Sequence, residues 1–107
     1  YKNFAAKYIK QRVSEIADKY GFEFNRLFVR SQRTKWGTCS SDRNLSFNWR
    51  LILCPLFVMD YLIIHELSHL NEMNHSARFW QTVAGLYPDY EKAKKWLKEY
   101  EAFLFKF

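Results

Sequence analysis

Cysteine, glycine and proline are all scarce in this sequence, which contains two, three and two of them, respectively, in 107 residues. Cys39 and Cys54 form no C-x-x-C pair, which excludes a disulfide scaffold and a cysteine-rich zinc finger. Because 49% of the residues are hydrophobic and no low-complexity stretch occurs, a disordered chain is excluded as well. We therefore expect a folded protein that keeps its thiols reduced, as in the cytoplasm.

The chain also lacks a hydrophobic run long enough to cross a membrane. The best candidate, residues 51–64, is interrupted by Pro55 and Asp60 and is shorter than the roughly 18–20 apolar residues that a span requires. No signal peptide is visible. We expect a single domain over residues 1–107 with no membrane partner, and its first residue, Tyr1, indicates a fragment of a longer chain.

Acidic residues are few in the first half of the chain. Residues 1–50 hold eleven Lys and Arg against four Asp and Glu, whereas residues 51–107 hold six against seven. A basic half beside a nearly neutral half is typical of proteins with an anionic partner, such as nucleic acid or a nucleotide. A solvated surface that keeps the protein in solution explains the same distribution, and the sequence leaves both interpretations open.

The first half of the chain has the periodicity of one helix followed by a small sheet. Apolar positions three or four residues apart favour a helix over residues 3–20, with Gly21 as its C-cap. Short apolar runs between residues 22 and 49, separated by turn-forming residues, indicate two or three strands.

The second half has the pattern of a helical region. Pro55 is typical of the start of a helix, and this helix should run over residues 56–73. Ser76 and Asp89 are typical N-caps, and we expect one further helix after each of them. A helix, a small antiparallel or mixed sheet and then three helices make an α+β domain.

All three histidines of the chain lie within eleven residues, in the segment HELSHLNEMNH. Its first five residues match the pattern H-E-x-x-H inside the predicted long helix. On a helix, residues four apart leave the same face, so His65 and His69 could both reach one Zn²⁺ at about 2.0–2.1 Å. Glu66 points roughly 60° away from His69, which leaves its carboxylate free to act on a water rather than on the metal.

A catalytic zinc site needs a third protein ligand and keeps one position open. His75 follows His69 by six residues, the spacing of H-E-x-x-H-x-x-G-x-x-H, and we favour it as this ligand. One of the two asparagines between them would turn the chain in a left-handed conformation, unless the helix continues further. The rival ligand is an acid about twenty residues further on, Asp89 or Glu91. A structural zinc site and three histidines without metal are the remaining alternatives.

The segment HELSHLNEMNHSARFW resembles the YgjP-like metallopeptidase domain, and the upstream segment RTKWGTCSSDRNLSFNWRLILCP extends the resemblance. The first segment is also similar to WLM and SprT-like proteases, which remove proteins crosslinked to DNA. The resemblance implies a zincin fold, with a small sheet over an active-site helix, and zinc ligation by the three matching histidines. It further implies that Trp36, Asn48 and Trp49 border the substrate cleft.

Together these observations predict a zinc-dependent hydrolase that cleaves peptide bonds in a protein or peptide substrate. His65, His69 and His75 would hold the metal, and Glu66 would be the general base for the attacking water. The same chemistry could cleave a nucleotide phosphoanhydride, which the basic half of the chain would suit. A nucleic-acid-binding module with a structural metal is the third hypothesis, although a structural zinc has no use for Glu66.

Overall fold

The computed structural model describes residues 2–107, which form four α-helices and one three-stranded sheet. Their order along the chain is α1 (Lys2–Tyr20), β1 (Leu27–Arg30), β2 (Gly37–Cys39), β3 (Leu45–Asn48), a 3₁₀ turn (Trp49–Leu53), α2 (Leu56–Ser68), α3 (Ala77–Leu86) and α4 (Tyr90–Leu104). The predicted α+β fold, with one helix before a small mixed sheet and three helices after it, is confirmed.

The first helix, α1, is amphipathic and turns its apolar stripe to the core. The residues of this stripe are at most 5% exposed: Ala5, Ile9, Val13, Ile16 and Ala17. Gly21 follows the helix with a φ of 75°, a left-handed value that is unfavourable for residues with a Cβ, so its predicted role as C-cap is confirmed. Arg12 ties this helix to α2, because its Nε and Nη2 donate to the two carboxylate oxygens of Asp60 at 2.8 and 2.7 Å.

The sheet has the order β1–β3–β2, so β3 lies in its centre and β2 at one edge. β1 pairs with β3 in parallel, whereas β2 is antiparallel to β3, with Gly37 opposite Phe47 and Cys39 opposite Leu45. Leu45 and Phe47 are completely buried in the core. Because paired residues share one face of a sheet, Gly37 and Cys39 lie on the same face, where β2 contacts α2.

The second helix, α2, is the central helix, and most of its residues are buried. Pro55 stands immediately before its first residue, in agreement with the prediction. The helix ends at Ser68, however, so the predicted end at residue 73 is wrong. The amide groups of His69 and Leu70 already donate to carbonyls three residues back rather than four, which tightens the chain into a turn. No helix within residues 2–107 is both long and apolar enough to cross a membrane.

The turn after α2 contains no left-handed asparagine. Among the described residues the only non-glycine residue with a positive φ is Arg43, at 65°, so the expectation for Asn71 or Asn74 is wrong. Arg43 lies between β2 and β3, and its Nη1 donates to the carbonyl oxygen of Leu70 at 3.2 Å. Its Nη2 donates to the carbonyl oxygen of Glu23 at 2.6 Å. Contacts between distant parts of the chain therefore hold this turn.

The two N-caps predicted for the last helices have different outcomes. Ser76 caps α3 as predicted, because its Oγ accepts a hydrogen bond from the amide of Phe79 at 3.3 Å. Asp89 stands immediately before α4, but its side chain makes no capping hydrogen bond, so this part of the prediction is wrong. A backbone bond closes that turn instead, from the amide of Lys92 to the carbonyl oxygen of Asp89 at 3.0 Å.

Candidate metal centre

The three imidazoles converge on one point of the structure. Nε2 of His75 lies 3.1 Å from Nε2 of His69 and 3.2 Å from Nε2 of His65. One ring nitrogen from each histidine lies within 4.8 Å of the other two, and the described residues add no carboxylate or thiolate to this group. The structure thus brings the three predicted histidines together, and it leaves the rival residues Asp89 and Glu91 outside.

Local structure explains how residues so close in sequence meet. His65 lies in the last turn of α2, and His69 is the first residue beyond the helix, where it keeps right-handed helical angles. The turn that follows carries His75 back towards both of them, in the irregular segment that precedes α3.

The hydrogen bonds of two rings leave their Nε2 atoms available for a cation. Nδ1 of His69 donates to the carbonyl oxygen of Glu72 at 3.1 Å, because a carbonyl can only accept. Nδ1 of His65 lies 3.3 Å from the hydroxyl oxygen of Tyr61. Two of the Nε2 separations are close to the roughly 3.3 Å between ligands of a tetrahedral ion bound at about 2.0–2.1 Å. The donor set therefore fits a zinc ion.

Burial keeps these imidazoles neutral. It lowers the pKa of His65 to about 3, and the neighbouring His69, His75 and Lys94 act in the same direction. Burial also lowers the pKa of His69, although hydrogen bonds to the backbone of Glu72 and Met73 act in the opposite direction. Neutral imidazole is the form that binds metal ions, so at neutral pH no proton has to leave these two rings first.

An aromatic wall from α3 fixes the orientation of the rings. Phe79 stacks on His69 with ring centroids 4.4 Å apart, and it meets His65 and His75 edge-on at 5.1 and 5.0 Å. Trp80 stacks on His75 with centroids 6.0 Å apart. Our sequence reasoning missed this wall, although Phe79 stands four residues after His75 and begins the Phe-Trp pair at the end of the resemblance.

Glu66 lies beside the nitrogen cluster without belonging to it. It is 7% exposed, and its Oε2 is 4.0 Å from Nε2 of His65. No side chain or amide of the described residues donates a hydrogen bond to its carboxylate. Burial raises the pKa of Glu66 to about 7, and the positive charge of Lys35 opposes this shift. The carboxyl group is thus set to exchange a proton near neutral pH.

A cleft of about 290 Å³ opens in front of Glu66 and the histidines. One side is formed by β2 and by Lys35, two residues before it, and the other by the histidines and the turn after α2. The lining residues are Lys35, Gly37, Thr38, Cys39, His65, Glu66, His69, Met73 and His75. Burial and the charge of Glu66 raise the pKa of Cys39 to about 11, so this thiol stays protonated, and it is not part of the metal-binding group.

The close approach of β2 to α2 requires Gly37. A Cβ at this position would lie 2.9 Å from the carbonyl oxygen of Ser46, 3.0 Å from Cγ of Glu66 and 3.3 Å from a ring carbon of Phe47. Any side chain here would therefore push the edge strand away from the carboxylate that lines the cleft.

The residues predicted to bind substrate are not among those that line the cleft. Asn48 is completely buried, and its Nδ2 donates to the carbonyl oxygens of Gln32 and Lys35 at 2.7 and 2.9 Å. Trp36 packs on Phe105 with ring centroids 4.7 Å apart, and Trp49 is 7% exposed in the 3₁₀ turn. None of Trp36, Asn48 and Trp49 lines the cleft, and their contact with a substrate stays a prediction.

Comparisons with known proteins agree with this geometry. A model of the YgjP-like family, described as a metallopeptidase domain, matches residues 1–100. The metallopeptidase zymogen abylysin of Pyrococcus abyssi is similar in structure, with a TM-score of 0.71 at 18% identity over 85% of this chain and 93% of that chain. Jannalysin of Methanocaldococcus jannaschii, also a metallopeptidase zymogen, gives 0.70 at 19% identity over 85% and 94%. A search of curated proteins found no match. The two structures extend the α+β assignment to the zincin-like fold.

We expect Gly37→Ala to lower the free energy of unfolding by about 1–3 kcal/mol, the usual effect of overpacking. The matched control is Gly85→Ala, because a Cβ at Gly85 in α3 has no neighbour within 4 Å. This control should leave stability unchanged or raise it by up to about 1 kcal/mol, since alanine favours a helix. Urea unfolding of the metal-free proteins measures both changes. Equal effects of the two substitutions would contradict the close approach.

The stability of the metal-free protein should depend on pH through two opposing groups. His65 has an ordinary pKa of 6.5 and a folded pKa of about 3, so the unfolded chain binds more protons and stability falls as the pH is lowered between these values. Glu66 has an ordinary pKa of 4.5 and a folded pKa of about 7, so the folded chain binds more protons and stability falls as the pH rises between these values.

Glu66→Gln removes only the second contribution. The two contributions overlap between pH 4.5 and 6.5. In this range the free energy of unfolding of the metal-free variant should therefore rise more steeply with pH than that of the unmodified protein. Denaturant unfolding at several pH values within that range measures the two slopes. Parallel curves would contradict the raised pKa of Glu66.

Proposed function

Since this chain belongs to the YgjP-like metallopeptidase family, we propose that it is a zinc-dependent peptidase whose metal is held by three histidines and whose general base is Glu66. The observation that carries the proposal is the convergence of the Nε2 atoms of His65, His69 and His75 beside a buried carboxyl group. The family and the fold support a metal-dependent peptidase, and the identity of the metal and the role of Glu66 are the proposed part.

The donor set favours zinc. Three imidazole nitrogens with one position left open are typical of catalytic zinc sites, whereas structural sites have four protein ligands. Bound zinc would supply a Lewis acid that makes a water nucleophilic near neutral pH and polarises the substrate carbonyl. The hydroxyl of Tyr61 contacts Nδ1 of His65, and the carbonyl of Glu72 contacts Nδ1 of His69. In each ring this contact leaves Nε2 available for the ion.

Glu66 would move the proton. Its carboxylate accepts a proton from the attacking water and then returns it to the nitrogen of the leaving amine. A pKa raised by burial to about 7 suits both halves of this transfer at neutral pH. The lack of hydrogen-bond donors to the carboxylate among the described residues leaves its oxygens free for the water.

The edge of the sheet would position the substrate. Within the described residues β2 pairs only with β3, which leaves its other edge open, and all three of its residues line the cleft. An extended peptide can add to such an edge through main-chain hydrogen bonds, which hold it without regard to most side chains. The peptide would then pass in front of Glu66 and the histidines.

We expect the purified protein to carry one zinc ion per chain. His69→Ala and His75→Ala should each abolish zinc binding, whereas the double variant Asp89→Asn, Glu91→Gln should keep it. Elemental analysis after dialysis measures the zinc content of each protein. Loss of zinc in the double variant but not in His75→Ala would assign the third ligand to the acidic residues.

Removal of zinc should lower the melting temperature without unfolding the chain. A ligand at a thousandfold excess over its dissociation constant stabilises the folded state by about 4 kcal/mol. The buried core of the described residues, which spans all four helices and the sheet, should persist in its absence. Thermal unfolding followed by circular dichroism, with and without a chelator, measures the shift. Complete unfolding on chelation would indicate a structural zinc instead.

Glu66→Gln should separate catalysis from metal binding. The amide keeps the size of the side chain but cannot accept the proton, so peptide hydrolysis should fall by about 10²–10⁴-fold while zinc is retained. Casein and nucleoside triphosphates, offered in parallel to the zinc-loaded protein, decide between peptide and phosphoanhydride hydrolysis. Full activity of Glu66→Gln would refute the mechanism, and triphosphate hydrolysis without casein cleavage would refute the peptidase.

A further inference from the structure

The segment before β2 carries positively charged residues and no acidic ones. We call residues 30–35 the basic loop, since it includes Arg30, Arg33 and Lys35, and no Asp or Glu occurs between residues 24 and 41. All three cations are exposed. The ion pairs of the described residues involve other groups, so the three charges are available to an external partner.

Buried side chains hold the basic loop in place. Nδ2 of Asn48 donates to the carbonyl oxygens of Gln32 and Lys35, at 2.7 and 2.9 Å. Nη1 of Arg50, a residue that is 5% exposed, donates to the same Gln32 carbonyl at 2.8 Å. The loop therefore presents its charges from a fixed backbone, and little backbone entropy is lost when the loop meets a partner.

The basic loop reaches the candidate metal centre at Lys35. Lys35 lines the cleft, and its charge acts on the carboxyl group of Glu66. Lys94 of α4 exerts its charge on His65, but it is itself paired with Glu91 at 3.9 Å. Glu72, the acid in the turn after α2, is paired with Arg78 at 3.9 Å. Lys35 is therefore the positive charge at the lining of the cleft, and a bound metal ion would add to it.

We propose that this cleft selects acidic peptide segments, with Asp or Glu close to the scissile bond on the side of the basic loop. This inference rests on the proposed peptidase function and names its substrate class. An extended peptide on the edge of β2 would run past Lys35, which lines the cleft, and its flanking residues would come towards Arg33 of the same loop. The positive field would also accelerate the encounter with acidic substrates.

The geometry favours an acidic peptide over nucleic acid. Binding of single strands relies on aromatic rings that stack on successive bases, in addition to cations along the backbone. The aromatic residues closest to the basic loop in sequence already have partners: Cζ of Arg30 lies 4.4 Å from the centroid of the Phe28 ring, and Trp36 packs on Phe105 with ring centroids 4.7 Å apart. Lys35 instead lines the cleft in which the proposed peptide lies, and its charge acts on Glu66.

Matched peptides test the selectivity. A peptide that the zinc-loaded protein cleaves is made with Glu, Gln or Lys at the positions flanking the scissile bond, and kcat/KM is measured for each. Each Glu should raise kcat/KM over Gln by about two- to fivefold, the worth of a solvent-exposed ion pair, and the advantage should shrink as salt is added. Equal rates for the three peptides would overturn the inference and leave the peptidase intact.

Charge reversal locates the selectivity. Lys35→Glu and Arg33→Glu should abolish or reverse the preference for Glu over Lys. Lys10→Glu is the matched control, because Lys10 is exposed on α1 and does not line the cleft. The ratio of two peptides on the same variant cancels any change in catalytic power that follows from the neighbourhood of Lys35 and Glu66. An unchanged ratio in Lys35→Glu would overturn the assignment.

Binding separates this inference from the proposed activity. Fluorescence anisotropy with labelled Glu and Gln peptides on the zinc-loaded Glu66→Gln protein needs no turnover, and tighter binding of the Glu peptide, lost in Lys35→Glu, supports the inference. This result in a protein that cleaves no peptide would remove the peptidase but keep the acidic preference. The two peptides could bind equally well, while a single-stranded oligonucleotide binds and loses this binding in Lys35→Glu and Arg33→Glu. That result would assign the basic loop to nucleic acid and overturn the proposal.

Discussion

The turn that follows α2 is the constraint on which the candidate metal centre depends. Because the helix ends at Ser68, His69 is the last residue that shares its axis. If the helix continued to residue 75, His75 would lie roughly 9 Å further along the axis than His69, at about 1.5 Å per residue. Its Nε2 could not then come within 3.1 Å of the His69 ring. The position of the helix end therefore decides whether the chain has two converging imidazoles or three.

Sequence patterns predicted which histidines converge better than they predicted this turn. The spacing of His65 and His69 needs only helical geometry, which is local, and their placement on one side of the cleft follows from it. The turn after the helix also contacts a distant residue, since Arg43 from the turn between β2 and β3 donates to the carbonyl oxygen of Leu70. No local pattern reveals that contact. The asparagines that were expected to turn the chain in a left-handed conformation do not adopt it.

The sheet shows the same division between local and distant information. Gly21 and the short apolar runs were enough to predict where α1 ends and that strands follow. Which residues of those strands face the cleft depends on register, and a shift of one residue changes the face. Gly37 opposes Phe47 and faces Glu66, whereas the neighbouring Asn48 turns to the carbonyls of the basic loop. The prediction that Asn48 borders the cleft was made without that register.

Two carboxyl groups of α2 show where the chain departs from the rules of a stable interior. Asp60 receives two hydrogen bonds from Arg12, as buried charges usually require. Glu66 is more deeply buried and receives none from the described residues, so it destabilises the fold whenever it is ionised. Gly37 gives up a side chain so that the edge strand can pass close to this carboxyl group. A residue kept only for stability would be paired as Asp60 is, and an unpaired carboxyl group that lines a cleft is what the proton transfer proposed for Glu66 requires.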